Sequence, residues 1–393
     1  MILVNIKVHK IKYILICFVF TINIISSCGQ LNSIAGKKSS ELIDTVTEVK
    51  KNIKTNLKDS LISIIGVGDI MLGSNYPYSG SLPPDDGIYL LDSVSDILRT
   101  ADVTFGNLEG TFLNSGGIPK RCNTPDHCVS FRMPEHYAEY LYKAGFDVVS
   151  LANNHSNDMG EEGRTSTKEA LDKYSIKYAG YLDYPVTVFE KNGIKYGFTA
   201  FAPNTETLRL NDLTGAKKIV SDLKKQCDIL IVSFHGGAEG YSAQRVTGKR
   251  EIFLGEDRGN VYEFAHEVID AGADIVFGHG PHVPRAIELY KNKIIAYSLG
   301  NFCTYGKFSL SGPQGIAPML KVYIDKYGNF VKGNIYSFRQ INGGFPVPDY
   351  ELNAVKIIKE LTEKDFPDSQ LLIYDNGYVE KIIFNITNEK NIY

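Results

Sequence analysis

Six short apolar runs, each closing on Gly, Asn, Asp or His, constrain this fold more than any other feature of the sequence. Leu61 to Val67 leads into Gly68-Asp69, and Val103-Thr104-Phe105 into Gly106-Asn107-Leu108-Glu109. Asp147 to Leu151 leads into Asn153-Asn154-His155, and Ile229 to Phe234 into His235-Gly236-Gly237. Ala273 to Phe277 ends at Gly278-His279, and Ile294 to Leu299 at Gly300-Asn301. Helical patterns lie between these runs. Pro134 to Ala144 has a proline start and a stop at Gly145, and Gly163 to Tyr174 and Val261 to Ala271 read the same way. Strand and helix in alternation predict α/β layers. In such sheets ligands collect beyond the carboxyl ends of the strands, which is where every polar group just named falls. After Pro318 the texture changes: Met319–Ile324, Gly333–Phe338 and Tyr378–Asn385 read as strands that extend or cover the sheet.

The 393 residues allow one large domain or two modest ones. A formal net charge of −3 gives no reason to expect a nucleic-acid partner. The amino terminus stands apart from the fold. Lys7, Lys10 and Lys12 precede an apolar run from Tyr13 to Ile25, and Ser26-Ser27-Cys28-Gly29 follows. A charged start, a short apolar stretch and small residues before a cysteine make residues 1–28 a secretory signal of lipoprotein type, with lipid expected on Cys28. The run is short for a membrane-spanning helix. Polar residues 29–58 read as a tether, residues 59–345 as the main domain, and residues 346–393 as a helix-and-strand extension packed on it. Export places the chain in an oxidising compartment of the cell envelope. There Cys122 and Cys128, close together in a loop rich in Pro, Asn and Asp, are the likelier pair; for Cys227 and Cys303 both the paired and the free state stay open.

Asp69, Glu109, Asn154, His155, His235, His279 and His282 all follow apolar strands. Carboxylate and amide oxygens with imidazole nitrogens suit Mn, Fe or Zn. The set exceeds the needs of one tetrahedral ion and fits two metals sharing a carboxylate, an arrangement that activates water and clamps the oxygens of a phosphoryl transfer. His9, His127, His136 and His266 fall in the signal, a loop and two helices, and carry no such pattern.

The segments GVGDIMLGS (66–74), GNLEGTF (106–112), FRMPEHYAEYLYKAGFDVVSLANNHSNDMGEEG (131–163), VSFHGGAEG (232–240) and GADIVFGHGPHVPRAIELYKNKIIAYSLGNF (272–302) resemble the CapA family. These are the poly-γ-glutamate capsule biosynthesis proteins, whose domain is similar to calcineurin-like metallophosphoesterases. The resemblance covers most of residues 61–310 and implies a layered α/β sandwich with helices flanking two β-sheets. It implies metal ligation by Asp69, Glu109, Asn154, His235, His279 and His282, with Glu109 bridging. It also implies catalytic roles for His155, Asn154 and His235, and a supporting role for Asn107 behind Glu109. The chain departs from the pattern in three places. Met71 stands where metallophosphoesterases usually carry a histidine, Glu109 replaces an aspartate, and Gly236 replaces a tryptophan found in many relatives. Arg245, Lys249, Arg250, Glu256, Asp257 and Arg258 form either a charged rim for an anionic substrate or a solvated face.

Three functions follow from this reading. The first is an exported, lipid-anchored protein of capsule or poly-γ-glutamate synthesis or export whose two divalent ions hydrolyse a phosphoester or acidic polymer. The second is an accessory subunit of a polymer synthase or export complex that binds metal and polymer without turnover. The third is a surface lipoprotein with a degenerate site.

Overall fold

The computed structural model describes residues 61–121 and 128–382. The signal, the tether, Cys28, Cys122, His127 and the end of the last expected strand lie outside these residues. Leu61–Tyr393 forms one compact unit.

Two sheets carry the fold. The larger contains β1 (Ile62–Met71), β2 (Val103–Leu108), β3 (Val148–Ser150) and β4 (Lys177–Ala179), adjacent and parallel in that order. The smaller contains β5 (Val186–Lys191), β6 (Ile194–Phe201), β7 (Ile229–His235), β8 (Ile275–His279), β9 (Ile287–Tyr290) and β10 (Lys293–Ala296), in the order β9-β10-β8-β7-β6-β5. The chain then returns to the larger sheet. There β11 (Asn301–Thr304) pairs with the end of β1, and β12 (Ile316–Ile324) runs antiparallel along β1. β13 (Phe330–Ile341), β14 (Phe345–Pro348), β15 (Leu371–Ile373) and β16 (Tyr378–Lys381) complete that side.

The sheets pack face to face. Alternate residues of β1, such as Ile62 and Ile64, meet Phe198, Ile231 and Phe277 in one buried cluster. Phe105 joins the layers, stacked on Phe277 with centroids 5.3 Å apart and tilted against Phe198 at 5.4 Å. Each such buried ring contributes roughly 2–3 kcal/mol by area. The outer face of the larger sheet packs on α1 (Asp92–Leu98), α2 (Ala138–Ala144) and α3 (Gly160–Lys173) through Val94, Leu141 and Leu171. The outer face of the smaller sheet packs on α4 (Leu213–Lys224) and α5 (Val261–Asp270) through Val220 and Phe264. The layers are therefore helices, sheet, sheet, helices, as the sequence implied. A last helix, α6 (Asn353–Asp365), places Ala354, Val355 and Ile358 against the core between the sheets.

The elements follow from local sequence. α2 is preceded by a short 3-10 turn at Glu135–Tyr137 and stops at Gly145, whose φ of 99° few other residues adopt. α4 and α5 begin at Asp212 and Asn260, whose side chains accept from Gly215 N and Glu263 N. β5, β6 and α4 fell between the sequence signals named above, while α6 lies within the helix-and-strand extension expected over residues 346–393.

A repeated device fixes the amino ends of the strands. Asp102 precedes β2 and accepts from Ser63 N of β1 at 2.8 Å. Asp147 precedes β3 and accepts from Thr104 N of β2 at 2.9 Å. Asp228 and Asp274, before β7 and β8, accept from Lys195 N and Leu230 N of the preceding neighbours, at 2.9 and 2.8 Å. Each carboxylate takes a strand N–H that the parallel ladder leaves without an acceptor. Cys128 is disulfide-bonded, whereas Cys227 and Cys303 are free. Among the described residues, no helix is long and apolar enough to cross a membrane.

Candidate metal centre

The carboxyl ends of β1, β2, β3, β7 and β8 converge on one buried cluster. Asp69 is the branch point. Its Oδ1 accepts from Asn107 Nδ2 at 2.8 Å and lies 3.1 Å from His279 Nδ1, and its Oδ2 lies 2.9 Å from His282 Nδ1. Such separations are those of hydrogen bonds and also those of donors gathered around one ion. One ligand atom each from Asp69, Glu109 and His235 lie within 4.8 Å of one another. His282 Nε2 is 3.7 Å from Glu109 Oε1 and 3.9 Å from Glu239 Oε2.

Tight backbone contacts hold these ends. Asp69 N donates to Gly300 O at 2.8 Å, and a Cβ on Gly68 would sit 2.1 Å from that oxygen, so β1 and the turn before β11 meet only through glycine. Gly236 N donates to His279 O, and a Cβ on Gly280 (φ 114°) would sit 2.6 Å from Gly236 O. His235 and His279 are thereby locked side by side. A Cβ on Gly236 would lie 2.9 Å from Arg258 O, so the backbone here leaves no room for a side chain. His282 has a φ of 57°, a backbone state sparsely used outside glycine and frequent at functional sites. Asn301 Oδ1 stands 3.2 Å from its Nδ1.

A second tier sits behind His155. Asn153 donates to Asn107 Oδ1 at 3.1 Å and to Leu108 O at 2.9 Å, and accepts from His155 N. His155 Nδ1 is 2.7 Å from Asp158 Oδ2, which leaves Nε2 facing Glu109 Oε1 at 3.9 Å. Lys120 Nζ lies 2.7 Å from Asp158 Oδ1 and donates to Asn154 O at 3.0 Å. Phe131 stacks on the imidazole with centroids 4.1 Å apart.

Burial alone would raise the Asp69 carboxyl, but the hydrogen bonds and charges of His279 and His282 outweigh it and hold it far below the usual range. Burial and then the Asp69 charge push Glu109 well above its usual value. Burial would lower His282, yet Glu109, Asp69 and Glu239 drive it up to about 10. Burial lowers His235 well below normal and His155 to about 4, with Asp158 partly opposing the latter. Five ligand-type atoms here are buried without a hydrogen-bond partner: both oxygens of Glu109, Asn154 Oδ1, His235 Nε2 and His279 Nε2. Buried polar atoms are ordinarily satisfied, so this donor set fits a divalent cation well.

The structure thus brings Asp69, Asn107, Glu109, His155, His235, His279 and His282 together. Asn154 lines the cleft beside His155 and His282. Met71 does not face the cluster. It lies in the apolar core on the outer face of the larger sheet, with Ile65, Val67 and Ile70. His136 and His266 pair with Asp86 and Glu288, away from the centre. Sequence reasoning missed Asn153, Asp158, Lys120, Glu239 and Asn301. Asp158, three residues after His155, Asn301, closing a strand run, and Glu239, within the segment 232–240, carried a usable signal; Lys120 carried none.

A family model described as bacterial capsule synthesis protein PGA_cap matches residues 63–305. The capsule biosynthesis protein CapA of Bacillus anthracis is 31% identical over 255 residues, covering 60% of this chain and 58% of that protein. The PGA biosynthesis protein CapA of Bacillus subtilis (strain 168) is 30% identical over 261 residues, covering 62% and 63%. The chain therefore spans about three fifths of the length of these curated relatives. A solved structure of a hypothetical protein from Thermus thermophilus is 16% identical with a TM-score of 0.44, over 71% of this chain and 100% of that one.

Proposed function

This chain belongs to the bacterial capsule synthesis protein family, and from that premise we propose that its domain is a metal-dependent hydrolase of a phosphoester or acidic polymer, acting in capsule or poly-γ-glutamate synthesis or export. The observation that supports this most is the set of buried, unpartnered ligand atoms on Glu109, His235 and His279 beside Asp69, with Asn154 Oδ1 at the adjoining cleft. Asp69, Glu109, Asn154, His235, His279 and His282 would hold two divalent ions of Mn, Fe or Zn type, with Glu109 shared. Such ions supply an activated water and a clamp on the reacting oxygens. Asn107 fixes the carboxylate of Asp69. Asp158 sets the tautomer of His155, whose Nε2 takes or returns a proton at the reacting oxygen. The anchor on Cys28 and the tether of residues 29–58 would keep this centre at the cell envelope, where a polymer emerges.

The test is metal content of the purified chain by elemental analysis, with a phosphodiesterase and γ-glutamyl hydrolysis screen. Metal and turnover lost together in Glu109→Ala and His235→Ala support the reading; turnover unchanged in both sinks it. The methionine at position 71 favours a second reading, because it offers the first ion no nitrogen donor. On that reading the protein is an accessory subunit that retains metal and polymer, and polymer capture without hydrolysis would distinguish it.

A further inference from the structure

We infer that Arg258 is the oxyanion anchor of the cleft above the metal centre, taking a carboxylate or phosphate of the substrate through Nη1. The inference rests on this cleft being the substrate site proposed above. A cavity of about 770 Å³ opens beside the centre, with Asn154, His155 and His282 at its floor and Arg258 in its wall. The six charged residues 245–258 read from sequence as one rim or one solvated face, and the structure divides them. Arg245 pairs with Asp365 and Arg250 with Asp257, both arginines half-exposed or more, while Lys249 is exposed. Arg258 alone is buried, with its side chain 5% exposed.

Its guanidinium is held in place. Nη2 donates to Glu239 Oε1 at 2.9 Å, Nε lies 3.2 Å from Glu256 Oε2, and the group sits over the Phe253 ring at 5.7 Å. Its backbone is fixed too, since Gly237 N donates to Arg258 O and Ala238 N to Glu251 Oε2. Nη1 and Nε are both buried without a hydrogen-bond partner among the described residues, and Nη1 has no ion pair there either. An arginine fixed by a hydrogen bond at Nη2 and an ion pair with Glu256, with Nη1 left open, is a donor set matched to a planar or tetrahedral oxyanion. The two glutamates oppose an incoming anion, but both are engaged on the other side of the guanidinium. The rest of the cleft leans the same way. Arg121, Arg209 and Lys307 line it with no ion pair among the described residues, against Glu206 as the unpaired acid. Glu239 also links the anchor to the centre, lying 3.9 Å from His282 Nε2.

The test is calorimetric titration of inorganic phosphate and of a short γ-linked glutamate oligomer into the full chain held in chelator. Failure of the metal reading then leaves this measurement intact, because metal content is assayed separately. We expect at least one probe to bind, Arg258→Gln to weaken it about tenfold or more, Arg258→Lys to weaken it less, and Lys307→Gln to change it only a few-fold. The tighter probe names the source of the oxyanion. If Arg258→Gln loses its folded circular-dichroism signal, Arg258→Lys decides, and wild-type affinity in that variant overturns the proposal. Wild-type affinity in a folded Arg258→Gln, or no binding of either probe to the wild type, overturns it as well.

Discussion

The two ends of the same strands treat acids in opposite ways. At the amino ends, Asp102, Asp147, Asp228 and Asp274 each accept a neighbouring strand's N–H, and Asp274 adds Lys224 at 2.6 Å and Lys293 at 2.8 Å. At the carboxyl ends, Glu109 is fully buried with neither oxygen satisfied, although three histidines and Asp69 stand around it. Asp274 and Glu109 are both buried, the first paired and the second not, so burial alone does not mark function. A buried acid that the fold leaves without a partner does, because the missing interaction must come from outside the chain.

Four changes would break or sharpen that contrast. The largest effect is expected for Glu109→Ala, which should remove nearly all bound metal by elemental analysis while leaving the chelated protein as stable as before, since an unsatisfied buried carboxyl disappears with it. Next, His155→Ala should lower turnover roughly 10²–10⁴-fold with metal content intact, the size expected for loss of a positioned proton-transfer group. At the other end, Asp274→Ala should cost about 3 kcal/mol in denaturant unfolding, by orphaning Leu230 N and two lysines, and should leave the metal stoichiometry unchanged. Equal metal loss in Asp274→Ala and Glu109→Ala would erase the distinction between the ends. The smallest effect is expected for Met71→Leu, under about 1.5 kcal/mol and without change in metal, because Met71 fills core rather than approaching the ions.

Much of this was legible in the sequence. Apolar runs ending in Asp, Asn or His named the rim because a parallel sheet gathers strand ends whatever lies between them. The layered sandwich was legible through its family motifs. Met71 was not. Strict alternation puts it on the face of Asp69, yet it packs in the outer-face core, and the pairing of β1 is irregular around Asp69 against both β2 and β11. The support behind His155 was equally hidden, since Lys120 reaches it from a loop with no periodicity. Arg258 stood among six charges that look alike in sequence. Burial separates it from the others, and burial is set by the docking of its hairpin onto the segment after His235.

The position of β1 has a consequence for the order of assembly. It lies at the middle of the larger sheet, paired on one flank with β2 and on the other with β12, whose register runs Ile62 against Ile324. A growing chain makes Asp69 early but completes its surroundings only when more than three quarters of the protein has been synthesised. The ligand atoms come from separate strands, and within the unfolded chain only His279 and His282 are close neighbours. Capture of the proposed ions would therefore belong to the finished fold, and its binding energy would add to the stability of that fold rather than guide the nascent chain toward it.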